Sequence, residues 1–386
     1  MKLIYKKISS YFEPPLLFLW AVGVGIFLGD GKQPAADAFF AISIVLLFGW
    51  SLHKKTIQSL PRSLFFSWLA LLVYNLALIP FSDSPGFSIT SFMRLVMVFL
   101  VFVYGYSFSE KIDTKKLENI LLGIIGVVCL VSFGLLFWPD IAKALPLMNL
   151  LYPTYGHNHI VDLLLFGIPI GMYRYAETKD KKILFYLILF FATLFFSFAR
   201  GAIGLIGLFL LFLILKNKVY KKSLLLLLGF IVALLVGVSS VGKLDISIYG
   251  NYKISITKPK FTEDGRLEYW RQALVAIRER PWFGSGPGTF SLESRRLQDH
   301  PGSYSWFAHS LPLEILVETG IVGAVLFLTA GWLIFKNLLY AKENWGVLLA
   351  VLFTLLYSLF EFNLSYISIQ LLVFFYLGVN SKSKEI

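Results

Sequence analysis

Windows of about 20 predominantly apolar residues, the length a helix needs to cross roughly 30 Å of hydrocarbon, recur along this chain. They fall near 15–29, 35–52, 63–81, 90–108, 119–138, 159–174, 183–199, 201–215, 223–239, 319–335, 344–361 and 366–380. The pattern predicts an all-α polytopic membrane protein with about twelve transmembrane helices. Polar positions gather in short joints, with one exception: residues 240–318, between the ninth and tenth windows. The chain therefore divides into a nine-span region, 1–239, an extracytoplasmic loop, 240–318, and a three-span region, 319–386.

Long loops in compact proteins are functional or disordered, and the aromatic content of this one points to order: Trp270, Trp282, Phe283, Phe290, Trp306 and Phe307. Within it, "GRLEYWRQALVAIRERP" predicts a short helix with an apolar stripe at Leu267, Trp270, Leu274 and Ile277, ended by Pro281. The following "FGSGPGTF" predicts a tight turn whose glycines bring backbone N–H groups close to a ligand or to a neighbouring segment.

Charge gives the map an orientation. Lys and Arg concentrate in "MKLIYKK", "HKKTIQSLPR", "SEKIDTKKLE", "ETKDKK" and "KNKVYKK", whereas the short joints of the other side carry Lys32, Lys143 and Arg200. Cytoplasmic joints collect such residues, so both termini are expected in the cytoplasm and the long loop outside the cytoplasmic membrane. Composition agrees: 57% of the 386 residues are hydrophobic, 15% are charged and mean hydropathy is +0.72. The net charge of +12 is then topological, and no nucleic-acid partner is inferred from it. A single cysteine, Cys129, allows no intrachain disulfide.

The chemistry-bearing residues cluster on the outer side. Arg200, at the turn "FFSFARGAIG", breaks the charge rule and reads as a snorkelling arginine or a functional one. Arg266 opens the loop helix, where the dipole disfavours a cation; an ion pair with Asp264 or Glu268 is one reading and an anion partner the other. His309 precedes the tenth window and can exchange a proton near neutrality. Glu314 and Glu318, four apart, weaken a helix unless something cationic meets them; loop arginines are the expected partners. Gly320 and Gly323 permit close helix approach. His157 and His159 stand beside Asp162, but a metal site wants further ligands in fixed geometry, and no metal or other cofactor is expected. Arg94, within a span, should pair with a buried acid or carbonyl.

Three segments, "SFARGAIG", "GRLEYWRQALVAIRERPWFGSGPGTF" and "AHSLPLEILVETGIVG", together resemble the O-antigen ligase and O-antigen polymerase superfamily. The last follows the family's pattern through His309, Ser310, Leu313, Glu318, Gly320 and Gly323; Ser310 stands where Asn is common, and Ala199 where Ser is common. The resemblance implies a twelve-span, GT-C-like fold that takes a glycan from undecaprenyl pyrophosphate and moves it to a hydroxyl of lipid A core or another acceptor. It implies that Arg200 and Arg266 hold the pyrophosphate and that His309 assists the attacking hydroxyl, in a metal-independent, inverting displacement. Glu318 is expected to orient His309 or the loop. His157, His159 and Trp270 are candidate acceptor or lipid contacts. A polymerase joining repeat units on the lipid carrier shares these features. A lipid-linked glycan transporter is the competing class, although the two-halved pattern of many transporters is absent from the sequence.

Overall fold

The computed structural model describes residues 14–27, 34–137, 160–197, 199–216, 229, 243–248, 252–257, 265–340, 345–361 and 363–381. Eleven of the twelve apolar windows fall on helices: α1 (Pro14–Phe27), α2 (Pro34–His53), α3 (Arg62–Leu78), α4 (Pro85–Phe108), α5 (Thr114–Phe137), α6 (Ile160–Thr178), α7 (Lys181–Ser197), α8 (Arg200–Lys216), α11 (Leu311–Tyr340), α12 (Trp345–Tyr357) and α13 (Ile367–Asn380). The twelfth window, 223–239, lies outside the described residues apart from Gly229. Among the described residues, five segments are long and apolar enough to cross a membrane: Ala36–His53, Arg62–Phe81, Pro85–Phe108, Thr114–Gly134 and Leu311–Leu338. In the loop lie α9 (Arg266–Glu279) and α10 (Phe290–Arg296), and also a hairpin of β1 (Lys243–Ile248) and β2 (Tyr252–Thr257). The hairpin is antiparallel, running from Lys243 opposite Thr257 to Ile248 opposite Tyr252; helical periodicity gave no hint of it.

The chain forms two compact units. One comprises residues 1–121, 265–351 and 358–386, and the other residues 122–264 and 352–357. In the first, α4 and α13 are in backbone contact because glycines face the partner: a Cβ on Gly105 would stand 2.5 Å from the Phe375 carbonyl oxygen, and one on Gly378 2.3 Å from that of Phe102. Small residues that let backbones approach are the main means of helix association in lipid, where burial of apolar surface supplies no driving force. Trp68 of α3 is buried among Phe99, Phe102 and Phe374. Arg94 of α4 forks onto Asp37 of α2, at 3.2 and 2.8 Å, and also reaches the Ser365 carbonyl. An acid or carbonyl partner is what its position predicts; the acid is half-buried rather than buried. In the second unit, Gly167 and Gly171 of α6 leave room for Phe190 and Leu187 of α7.

The decisive irregularity is in α11. Gly320 has φ 63° and ψ −170°, which breaks the helix within a single apolar run. The break strands the carbonyls of residues 317–319 and the amides of 321 and 322, and polar backbone cannot be left unpaired at membrane depth. The glycine-rich turn pairs them. Ser285 and Gly286 donate to the carbonyls of Val317 and Glu318, each at 2.9 Å, and Ile321 and Val322 donate to those of Pro281 and Trp282 at 2.8 and 3.3 Å. Tyr74 of α3 donates to the Thr319 carbonyl at 2.6 Å. A Cβ on Gly320 would lie 2.3 Å from the Trp282 backbone. Its role is thus to admit the loop, not a neighbouring helix, while Gly323 does face Tyr74 of α3.

Candidate active site

The loop is built onto the broken helix as a rigid platform. Beyond the backbone pairs, Ser88 donates to the Pro287 carbonyl at 2.7 Å, Asp83 to that of Ser285 at 3.0 Å, and Arg280 pairs with Asp83 at 2.6 Å. The bond to Asp83 raises the Arg280 pKa above its ordinary value. Beneath α9 a small apolar core gathers Ala273, Ala276, Phe290, Ala308 and Val317. Gln272, almost fully buried, donates to Glu268 and to the Ser303 carbonyl, both at 2.8 Å, and accepts from Ser294. The predicted apolar stripe of α9 is only in part its core face: Ile277 packs against that core. Leu267 and Leu274 are 60% and 49% exposed, and the helix turns Gln272, Ala273 and Ala276 inward because close packing on α11 favours small side chains.

Glu314 and Glu318 meet backbone amides rather than loop arginines. Glu318 accepts from Gly288 at 2.8 Å and from Phe290, the first residue of α10, at 3.2 Å. Of the two partners expected for it, His309 or the loop, these bonds are with the loop. Glu314 accepts from the amide of Ala308 at 3.1 Å.

That bond, with the Leu311 amide donating 2.8 Å to the Ser358 carbonyl, fixes the chain on both sides of His309. His309 has φ 52°, a left-handed conformation that costs a side-chain-bearing residue about 1–3 kcal/mol and persists only where the surroundings over-determine it. The strain turns the imidazole into a buried position, 6% exposed, where it stacks on Tyr269 with ring centres 5.6 Å apart. Its Nδ1 lies 2.9 Å from Oε1 of Glu361. The other oxygen of Glu361 pairs with the Arg266 guanidinium. Arg266 and His309, 43 positions apart in the numbering (309 − 266), are thus joined through one carboxylate.

Among the described residues, the acid that Arg266 meets is Glu361; Asp264, one of the partners foreseen at the start of its helix, lies outside the described residues. A carboxylate shared with a guanidinium can only accept, so Nδ1 is the donor of the pair, and in that tautomer Nε2 is the accepting nitrogen of the ring. A strained histidine, the carboxylate bonded to it and an arginine whose side chain is 35% exposed stand together, residue types able to accept a proton and to bind an anion.

Residues 185–328 match the O-antigen ligase family. The match supports the O-antigen ligase superfamily, which the three segments resemble. It covers Arg200, Arg266, Trp270, His309 and Glu318, and stops short of Glu361. No curated protein matches the chain. The apolar helices long enough to cross a membrane make this a multi-pass membrane protein, and the stretch from residue 185 to 328 is what it has in common with the O-antigen ligase family.

The remaining expected site residues are distributed as follows. Arg200 is the first residue of α8, in the second unit, and is half-buried. Trp270 is half-buried on α9, its indole N–H enclosed with no acceptor among the described residues. His157 and His159, upstream of the domain, lie outside the described residues. Among the described residues, no three His, Cys, Asp or Glu side chains converge as a metal site. Glu361 is the functional candidate that sequence reasoning missed; its one local signal is an acid between the last two apolar windows, on the side where the other polar clusters lie.

Proposed function

We propose that the protein is an O-antigen ligase that transfers a glycan from undecaprenyl pyrophosphate to a hydroxyl of lipid A core or a similar acceptor, on the outer side of the cytoplasmic membrane. The observation that carries this reading is Glu361 bridging Arg266 and His309. In the proposed step the acceptor hydroxyl oxygen attacks the anomeric carbon of the donor sugar. The bond from that carbon to the pyrophosphate oxygen breaks, undecaprenyl pyrophosphate leaves with the electron pair, and the hydroxyl proton passes to Nε2 of His309. One displacement inverts the anomeric centre. Glu361 stabilises the imidazolium as it forms.

Arginine forks suit the leaving group, because its charge grows as the sugar departs and bidentate pairing strengthens in a poorly hydrated site. Arg266 presents five N–H donors in a planar fork. Arg200 is proposed as the second pyrophosphate ligand. These contacts neutralise the leaving group without requiring a metal ion.

The test is transfer by the purified full-length protein in nanodiscs, supplied with undecaprenyl-pyrophosphate-linked glycan and a lipid A core acceptor. Glycan on the acceptor, with loss of transfer in His309→Ala, Arg266→Ala and Arg200→Ala, supports the ligase. Longer glycan still on undecaprenyl pyrophosphate identifies a polymerase instead. Translocation of the donor without any new glycosidic bond would overturn both.

A further inference from the structure

Next to the catalytic segment, a separate cavity of about 400 Å³ opens within the first unit. Its volume is that of a small-ligand site, roughly 300–1,000 Å³. Its wall includes Phe307 and Leu311, which flank His309, but not His309 itself. The lining is graded along the helices. Near their outer ends stand Thr90 and Ser91 of α4, Glu314 of α11 and Trp306 of the loop; deeper along the helices stand Leu95 and Val98 of α4 and Phe327 of α11.

The charges select the ligand. Arg94, the only basic residue among the lining residues, is forked onto Asp37. Two carboxyl groups, Glu314 and Glu318, face the same space. Ionised, they repel a phosphate; protonated, they offer it no cation. In either form a carboxyl group hydrogen-bonds hydroxyls. A pyrophosphate therefore belongs with Arg266, outside this cavity, and what fits here is an uncharged molecule with hydroxyl edges and apolar faces. Trp306, 57% exposed at the rim, and Phe87 supply aromatic surfaces for such faces.

We infer that this cavity is a subsite for an uncharged sugar ring, held by Glu314 and the Thr90 and Ser91 hydroxyls at its edges and by Trp306 on its face. Resting on the glycosyl-transfer reading, it places a sugar against the segment that carries the proton acceptor. Glu314 couples the two, since the carboxyl group that faces the cavity also holds the Ala308 amide. The sugar could belong to the acceptor or to the donor glycan, and the two sources differ in which substrate a change in the cavity affects.

Two measurements test it. Equilibrium binding of radiolabelled hexyl β-glucoside and hexyl phosphate to the full-length protein in nanodiscs, corrected with empty nanodiscs, needs no turnover. Saturable glucoside binding, weakened at least tenfold by Trp306→Ala and by Glu314→Gln, with no saturable phosphate binding, is the expected result. Trp306 is at the rim, so its removal leaves a folded protein if the Glu314 variant does not fold. Glucoside binding that neither substitution weakens, equal binding of the phosphate, or no saturable binding overturns the inference, whatever the transfer assay gives. In that assay, a tenfold rise in acceptor KM in Trp306→Ala assigns the ring to the acceptor, and the same rise in donor KM assigns it to the donor. Glucoside binding without any transfer would fault the ligase reading and leave the sugar site standing.

Discussion

At the scale of single residues, the reading turns on how His309 is held. Its left-handed backbone, the Ala308 and Leu311 amide bonds and the Glu361 contact together set the ring's direction and tautomer. Glu361→Gln keeps the shape but can present an N–H to Nδ1, which leaves the wrong nitrogen protonated. Loss of a correctly placed proton acceptor costs about 10²–10⁴ in rate, so we expect kcat for transfer to fall by about that much with acceptor KM little changed, and Glu361→Asp to recover part of it. Arg266→Lys keeps the charge and loses the fork; a rise in donor KM of about tenfold is expected in the same assay. Both Arg266 and His309 were legible in the sequence, because each is a polar residue out of place by a local rule. Glu361 was not. It is 52 positions from His309 and 95 from Arg266, and an acid between two apolar windows has no meaning until the fold delivers its partners.

At the scale of elements, the sequence announced the loop helix and the glycine-rich turn, but not what they were for. "FGSGPGTF" was open between a ligand and a neighbouring segment; the gap in α11 opened by Gly320 makes it the latter. Apolar periodicity placed Ile277 of α9 against the core but misled for Leu267 and Leu274, since it weighs Leu above Ala, whereas the most buried side chains are Ala273, Ala276 and a fully bonded Gln272. Gly320→Ala must adopt positive φ and place its Cβ 2.3 Å from Trp282 backbone atoms. Strain and overpacking each cost about 1–3 kcal/mol, so a clear drop in Tm and early proteolysis of the loop are expected. Glu318→Gln should instead leave Tm nearly unchanged and speed hydrogen exchange at Gly288 and Phe290, the two amides its carboxylate holds. The loop also carries an acid-sensitive pair. Arg271 bonds to Glu268 and lowers its pKa. A depressed carboxylate stabilises the fold above its unfolded value, about 4.3, and loses that contribution as pH falls through the folded value. Loop protection against protease should therefore weaken below about pH 4, and less so in Glu268→Gln.

At the scale of the whole molecule, what the sequence conveyed best was the length and apolarity of its helices, because a bilayer demands both of any helix that crosses it. Eleven windows drawn from hydropathy coincide with helices, most of them to within a few residues; the largest difference is α11, which starts at Leu311 because its first two turns, before the break, hold Glu314 and Glu318 toward the loop. Hydropathy does not say which helices touch. That information resides in the glycines, and only as a contrast between positions. Gly105 and Gly378 meet backbone across the α4–α13 contact, whereas a Cβ on Gly49 of α2 would meet nothing within 4 Å. Gly378→Ala should force two helices apart and destabilise the first unit by about 1–3 kcal/mol. Gly49→Ala, at a helical position with open space, should stabilise by up to about 1 kcal/mol. Thermal unfolding of the two variants in the same nanodiscs should move in opposite directions, and a Gly378→Ala protein as stable as the parent would mean that α4 and α13 do not meet at their backbones.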